Sequence, residues 1–211
     1  MKTYKIHLIR HGLTDANESG KYIGITDLPL SPNGFTSLLN LKSEGKYPTV
    51  RRFFTSPLNR CKQTLTLLYP DAKPDIVPGL SECDFGDWEG KDVRQLGQDE
   101  MFRKWASGMS AEIPNGESAA DFERRVSDAF ETIVNSLITS GETDAVVCTH
   151  GGVIMMIMAK YAYPQHQIHE WACGAGMGFS LRITPTLWMR EPVAEFMTHI
   201  PDMTHVPDMD K

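Results

Sequence analysis

Two histidines in this chain of 211 residues stand where an apolar run ends. Ile6, Leu8 and Ile9 lead straight into Arg10-His11-Gly12, and the run "DAVVCT" at 144–149 leads into His150-Gly151-Gly152. A strand end is where an open parallel sheet presents side chains to a ligand. Arg60 follows Ser56-Pro57 and falls in the first turn of an expected helix. Helix N-termini at 56–60 and 150–152 would add unpaired N–H groups and a partial positive charge. Two arginine forks beside such ends hold a tetrahedral dianion through more charge-assisted bonds than a carboxylate can use. Phosphate is therefore the ligand this pattern calls for.

The elements that must carry these residues alternate between strand and helix, which argues for an α/β layered domain. Strands are expected at Tyr4 to Arg10, Arg52 to Thr55, Asp75 to Val77 and Asp144 to Thr149. A final pair is expected at Gly178 to Thr184 and Val193 to Thr198, joined by a turn at Pro185. Ser31-Pro32 reads as a cap and first residue of a helix that stops near Gly45. Ser56-Pro57 repeats that signal before Leu58 to Tyr69. Phe122, Val126, Ala129, Phe130, Ile133, Val134 and Leu137 recur at helical spacing, so the longest helix should span about Ser118 to Ile138 and end at Gly141. His150-Gly151-Gly152 should open an apolar helix over Val153 to Ala159. Gly174-Ala175-Gly176-Met177-Gly178 lacks the flanking strand and helix of a nucleotide loop and reads as a flexible turn.

Composition removes several function classes. With 41% hydrophobic and 23% charged residues the chain is that of an ordinary globular protein, long enough to bury a core without staples. A net charge of -6 with no basic block excludes nucleic acid as a partner. No apolar run approaches the roughly 20 residues of a membrane span, and no leader is evident, so a cytoplasmic protein is expected. Cys61, Cys83, Cys148 and Cys173 are scattered and read as free thiols. His166 and His169 lack the further ligands that a metal site needs. The expected organisation is one domain over residues 1–200, with a helical lobe at roughly 85–125 over the site, and a loose tail at 201–211.

Taken in order, "RHGLTDAN", "SPLNRCKQT", "ECDFGDWEG" and "THGG" resemble the histidine phosphatase superfamily, and within it the phosphoglycerate mutase and cobalamin-pathway (α-ribazole) phosphatase branch. The resemblance spans roughly residues 4 to 155. It implies a three-layer αβα sandwich with a mostly parallel sheet. It implies that His11 is the nucleophile forming a phosphohistidine, that Arg10, Arg60 and His150 hold the phosphoryl oxygens with help from Asn17, Gly24 and Gly151, and that Glu82 donates the proton. Physical chemistry agrees. An imidazole attacks only when neutral, and Arg10 and Arg60 would lower its pKa. His150 should be protonated to share the transition-state charge, and Glu82 should have a raised pKa suited to a general acid. Two arginines and His150 then fill the role of a metal pair, so neither metal nor cofactor is expected.

Each residue alone has a plainer reading. His11 alone would be a hydrogen-bonded structural residue, Arg60 a solvated helix cation, Glu82 a loop acid, and Asn17 a cap. Phe85, Trp88, Met101, Phe102, Trp105 and Met109 could all be core, or some of them could line the leaving-group pocket. Only their company favours catalysis. A mutase would carry a basic segment after the catalytic Glu, where this chain has the acidic and aromatic Cys83 to Trp88, and a hydroxyl residue where it has Ile23. The expected activity is therefore hydrolysis of a small soluble phosphate ester, an α-ribazole or sugar phosphate. The alternatives are a cofactor-dependent phosphoglycerate mutase and a non-catalytic phospholigand-binding module. Self-association as a homodimer is left open.

Overall fold

The computed structural model describes residues 2–107 and 112–203. Its centre is a seven-stranded sheet in the order β3-β2-β4-β1-β6-β7-β5. The strands are β1 (Tyr4–Arg10), β2 (Arg52–Thr55), β3 (Asp75–Ile76), β4 (Asp144–Thr149), β5 (Ala162–Tyr163), β6 (Gly178–Ile183) and β7 (Ala194–Ile200). The β1–β4, β4–β2, β2–β3 and β5–β7 pairs are parallel, whereas β6 pairs antiparallel with β1 and β7. The helices are α1 (Asp15–Glu18), α2 (Pro32–Glu44), α3 (Asn59–Leu68), α4 (Val93–Leu96), α5 (Glu100–Ala106), α6 (Ala119–Ser140), α7 (Gly151–Tyr161) and α8 (Pro185–Trp188).

Side-chain alternation along the central strands explains the layers. Tyr4, Ile6 and Leu8 of β1 and Ala145 and Val147 of β4 join one apolar cluster with α6 and α7. Ile9, Val146 and Cys148 point to the other face and pack with Cys61, Leu65 and Leu68 of α3. Both faces are thus covered, which is why "DAVVCT" is continuously apolar instead of alternating. The result is the expected αβα sandwich with a mostly parallel sheet. A third cluster, Trp88, Leu96, Phe102 and Ile113, forms the core of the helical lobe. Backbone bonds between Tyr22 and both Lys91 and Gly90 tie that lobe to the loop after α1.

α6 matches its periodicity, with Gly141 at φ 76° closing it in the left-handed conformation that favours glycine. Elsewhere the structure departs from expectation. α3 begins at Asn59, and Ser56 does not cap it. Asp27, from a distant loop, accepts from the Asn59 N–H at 2.6 Å instead. The turn at Pro185 is the one-turn helix α8, which buries Trp188 against Phe130 and Tyr161. The last strand runs on to Ile200, and the chain beyond it is held by paired backbone bonds between Asp202 and Lys46. Residues 204–211 of the expected tail, and Met109, lie outside the described residues. β5 has only two residues, too few for any pattern to announce it. Among the described residues no helix is long and apolar enough to cross a membrane.

Candidate active site

Sheet register brings the two strand-end histidines together. Arg10 pairs with Thr149 across β1 and β4, and the His11 N–H donates to the Thr149 carbonyl at 2.9 Å. On the far side of β4 the Ser56 N–H donates to the Cys148 carbonyl, so His11, His150 and Ser56 line one rim. The imidazole centroids of His11 and His150 are 5.1 Å apart. Rims of this kind, at the carboxyl ends of parallel strands, are where α/β sheets bind ligands.

His11 is 5% exposed, and its Nδ1 lies 2.6 Å from the Gly12 carbonyl. A carbonyl only accepts, so Nδ1 carries the proton and Nε2 keeps its lone pair. The pKa is pushed down to about 3, by burial first, then by Arg60 and, less, Arg10. Burial outweighs the arginines that the sequence reading credited. At neutral pH the ring is therefore uncharged, with its lone pair on Nε2.

Arg10 donates from Nη1 to the Cys173 carbonyl at 2.7 Å, while its Nε is buried with no partner. A buried unpaired charged donor is costly unless something arrives to accept from it. Arg60 is 1% exposed and donates to the Thr26 carbonyl at 2.8 Å, the Gly24 carbonyl at 2.5 Å and His150 Nδ1 at 3.3 Å. Because guanidinium never accepts, that last bond makes Nδ1 of His150 the acceptor. Nε2 then donates to the Ser56 hydroxyl at 2.8 Å. Burial, with His11 and the arginines, holds the His150 pKa well below its ordinary value. His150 is therefore neutral in this arrangement, against the expected imidazolium, and a nearby phosphate dianion would act to raise it.

Glu82 reaches the same rim from its loop. Its Oε1 accepts from the Cys83 N–H and its Oε2 from the Gly152 N–H, each at 3.0 Å. Burial raises its pKa, against the pull of those two bonds and of Arg60 and Arg10. Arg125 of α6 secures the loop by donating to the carbonyls of Gly79, Ser81 and Glu82 while pairing with Glu117. A Cβ on Gly152 would lie 2.5 Å from Glu82 Oε1, so only glycine allows this approach. Gly152→Ala should displace the carboxyl and lower turnover of alkyl phosphates about 10²-fold. The loss should be much smaller for p-nitrophenyl phosphate, whose leaving group needs no proton. Equal losses on both would show that the glycine serves only the fold.

Arg10, Asn17, Glu82 and Gly151 share the walls of a cavity of about 200 Å³, with Lys21 and Ile23 also on its wall. His11, Arg60 and His150 are not in its lining. Gly24 sits apart from it as well: its N–H donates to Glu89 Oε1 at 2.8 Å, and a Cβ there would lie 1.6 Å from the Cys83 carbonyl oxygen. Asn17 completes a capping box with Thr14, its Oδ1 accepting from the Thr14 N–H and hydroxyl. Arg125 and Glu89 were missed as site residues, and Ser56 was read only for a helix N-terminus and not for its hydroxyl bond to His150, because the partners that matter, Gly79 to Glu82, Gly24 and His150, are far away in sequence. The Gly174–Gly178 segment is pinned, not the flexible turn expected. Gly176, at φ 75°, donates to the Arg10 carbonyl, and Tyr47 donates to the Gly176 carbonyl at 2.7 Å.

The buried histidines set an acid limit on stability. His7, bonded to Ser180 at 2.8 Å, is pushed down by burial to about 4, His11 to about 3, and His150 lower than usual. Each takes up a proton near pH 6.5 only when unfolded, so its contribution is full above that pH and is lost as pH falls toward the folded values. Glu82, with its raised pKa, favours the folded state as pH falls, but it is one group against three. Urea unfolding should show stability dropping by about 2 kcal/mol per unit below pH 6.5. A flat profile from 6.5 to 5 would mean that these rings are charged in the fold.

Known proteins are similar to this chain in sequence and in fold. An adenosylcobalamin/α-ribazole phosphatase of Salmonella typhimurium is 32% identical over 167 residues, covering 74% of this chain and 78% of that protein. A broad-specificity phosphatase of Saccharomyces cerevisiae is 28% identical over 176 residues, covering 79% and 74%. The crystal structure of the α-ribazole phosphatase of Shigella flexneri superposes with a TM-score of 0.76 at 25% identity, covering 92% of this chain and 95% of that one. Residues 6–187 match the model of the histidine phosphatase superfamily, branch 1, and this chain belongs to that family.

Proposed function

We propose that the protein hydrolyses a small soluble phosphomonoester through a phosphohistidine on His11, with α-ribazole 5'-phosphate or a sugar phosphate as substrate. The observation that carries this reading is His11 itself, neutral, with Nδ1 tied to the Gly12 carbonyl and Nε2 left with its lone pair. Nε2 attacks phosphorus, the P–O ester bond breaks, and Glu82 gives its proton to the departing alkoxide. Water then attacks the P–N bond, the Glu82 carboxylate takes the water's proton, and phosphate leaves with His11 restored. The Arg10 Nε that lacks a partner, Arg60, His150 and the N–H groups opening α7 are the groups that would carry charge on the equatorial oxygens. Likeness to the Salmonella and Shigella phosphatases supports the α-ribazole ester. The acidic Cys83 to Trp88 segment speaks against a mutase.

The test is a screen of α-ribazole phosphate, sugar phosphates, and 3-phosphoglycerate with 2,3-bisphosphoglycerate, with and without EDTA. Free phosphate and isomerised product are followed separately. Phosphate released from an ester, undiminished by EDTA, is the expected result. Formation of 2-phosphoglycerate without phosphate release would make the protein a mutase, and no turnover of any ester would leave a binding module.

A further inference from the structure

Glu82 and Gly152 form part of two cavities at once. Besides the cavity of about 200 Å³ walled by Arg10 and Asn17 they border a second one of about 380 Å³, walled by Tyr22, Phe85, Trp105, Met155 and Met156, of which Tyr22, Phe85 and Met155 also border the first. If Glu82 protonates the ester oxygen, that oxygen sits at the junction, and whatever it carries extends into the second cavity. We infer that this cavity receives the leaving group, and that the preferred substrates are phosphomonoesters of apolar alcohols bearing a flat ring system, in preference to polyhydroxylated sugar phosphates. The inference rests on the hydrolysis proposed above and names its substrate class.

The wall chemistry makes the choice. Its surface is mostly hydrocarbon, aromatic carbon and thioether, and both carboxylates at its edge are already engaged. Glu117 is held by Arg125 through bonds of 2.6 and 2.7 Å, and Glu82 by the N–H groups of Gly152 and Cys83. A polyol entering here would leave water for surroundings that offer its hydroxyls few partners. A ring exchanges only hydration of apolar surface, which favours entry. Tyr22, Phe85 and Trp105 meet one another edge to face, with centroids 5.5 to 6.0 Å apart, so the aromatic wall is already in place. Met155 and Met156 are partly buried and unbranched, able to follow the outline of what binds. The volume falls in the range of small-molecule sites, about 300–1,000 Å³.

Binding and turnover test separate parts of the idea. By calorimetry, 1-naphthylmethylphosphonate, which cannot be hydrolysed, should bind at least about tenfold more tightly than methylphosphonate. Met156→Gln should remove most of that difference while leaving methylphosphonate affinity little altered. In the wild type, kcat/KM for 1-naphthylmethyl phosphate, an ester of a primary alcohol like glucose 6-phosphate, should exceed that for glucose 6-phosphate. Equal phosphonate affinities, or faster turnover of the sugar phosphate, would overturn the inference and leave the phosphatase reading standing. A naphthyl preference in binding with no turnover of any ester would support the cavity as a site for this ligand class and refute hydrolysis.

Discussion

His11→Ala is expected to lower turnover on the order of 10⁴- to 10⁶-fold, the scale seen when a covalent nucleophile is removed. No neighbour can replace it. His150 has Nδ1 accepting from Arg60 and Nε2 bonded to Ser56, so neither nitrogen is free to attack. Inhibition by inorganic phosphate should change little, because Arg10, Arg60 and the N-terminus of α7 remain. Rapid quenching of the wild type with a ³²P-labelled ester should trap an acid-labile, base-stable label that His11→Ala never shows. Turnover within tenfold of wild type, or a label that persists in the variant, would remove His11 from the reaction.

Arg60→Ala is the second large effect, and it has two parts. Loss of a cation from the transition state should cost about 2–4 kcal/mol of barrier. In the fold, the carbonyls of Gly24 and Thr26 lose their donor, at about 1–3 kcal/mol each, so the melting temperature should fall as well. A third readout separates catalysis from damage. Arg60 helps to hold both His11 and His150 below their ordinary pKa, behind burial as the main cause for each. Its removal should move the acid limb of kcat/KM toward neutral pH, since protonated His11 cannot attack. Arg60→Lys should recover part of that electrostatic effect without the fork that spans two carbonyls. An unmoved acid limb at unchanged turnover would confine Arg60 to a structural role.

The sequence by itself determined the parts of this protein that depend on neighbours along the chain. Strand ends at Arg10 and Thr149, the apolar face of α6 and its stop at Gly141 follow from periodicities of two and 3.6 residues and from glycine's access to positive φ. The rim that unites His11, Arg60 and His150 was legible too, because parallel strands feed one edge. The ordered motifs added Glu82, which its loop alone did not single out.

Only the tertiary structure decided which atoms those residues use. Ser56 looked like a helix cap, yet its hydroxyl meets His150 while Asp27 takes the capping task. Arg125 gave no signal in the sequence, yet it donates to three carbonyls of the loop that carries Glu82. His150 was expected as a cation, but burial among His11 and the arginines makes it neutral. The bonds concerned join positions far apart in sequence, and desolvation depends on everything packed around a group. No local pattern encodes either. The same holds for the cavity beside Glu82, whose walls come from the loop after α1, the helical lobe and α7.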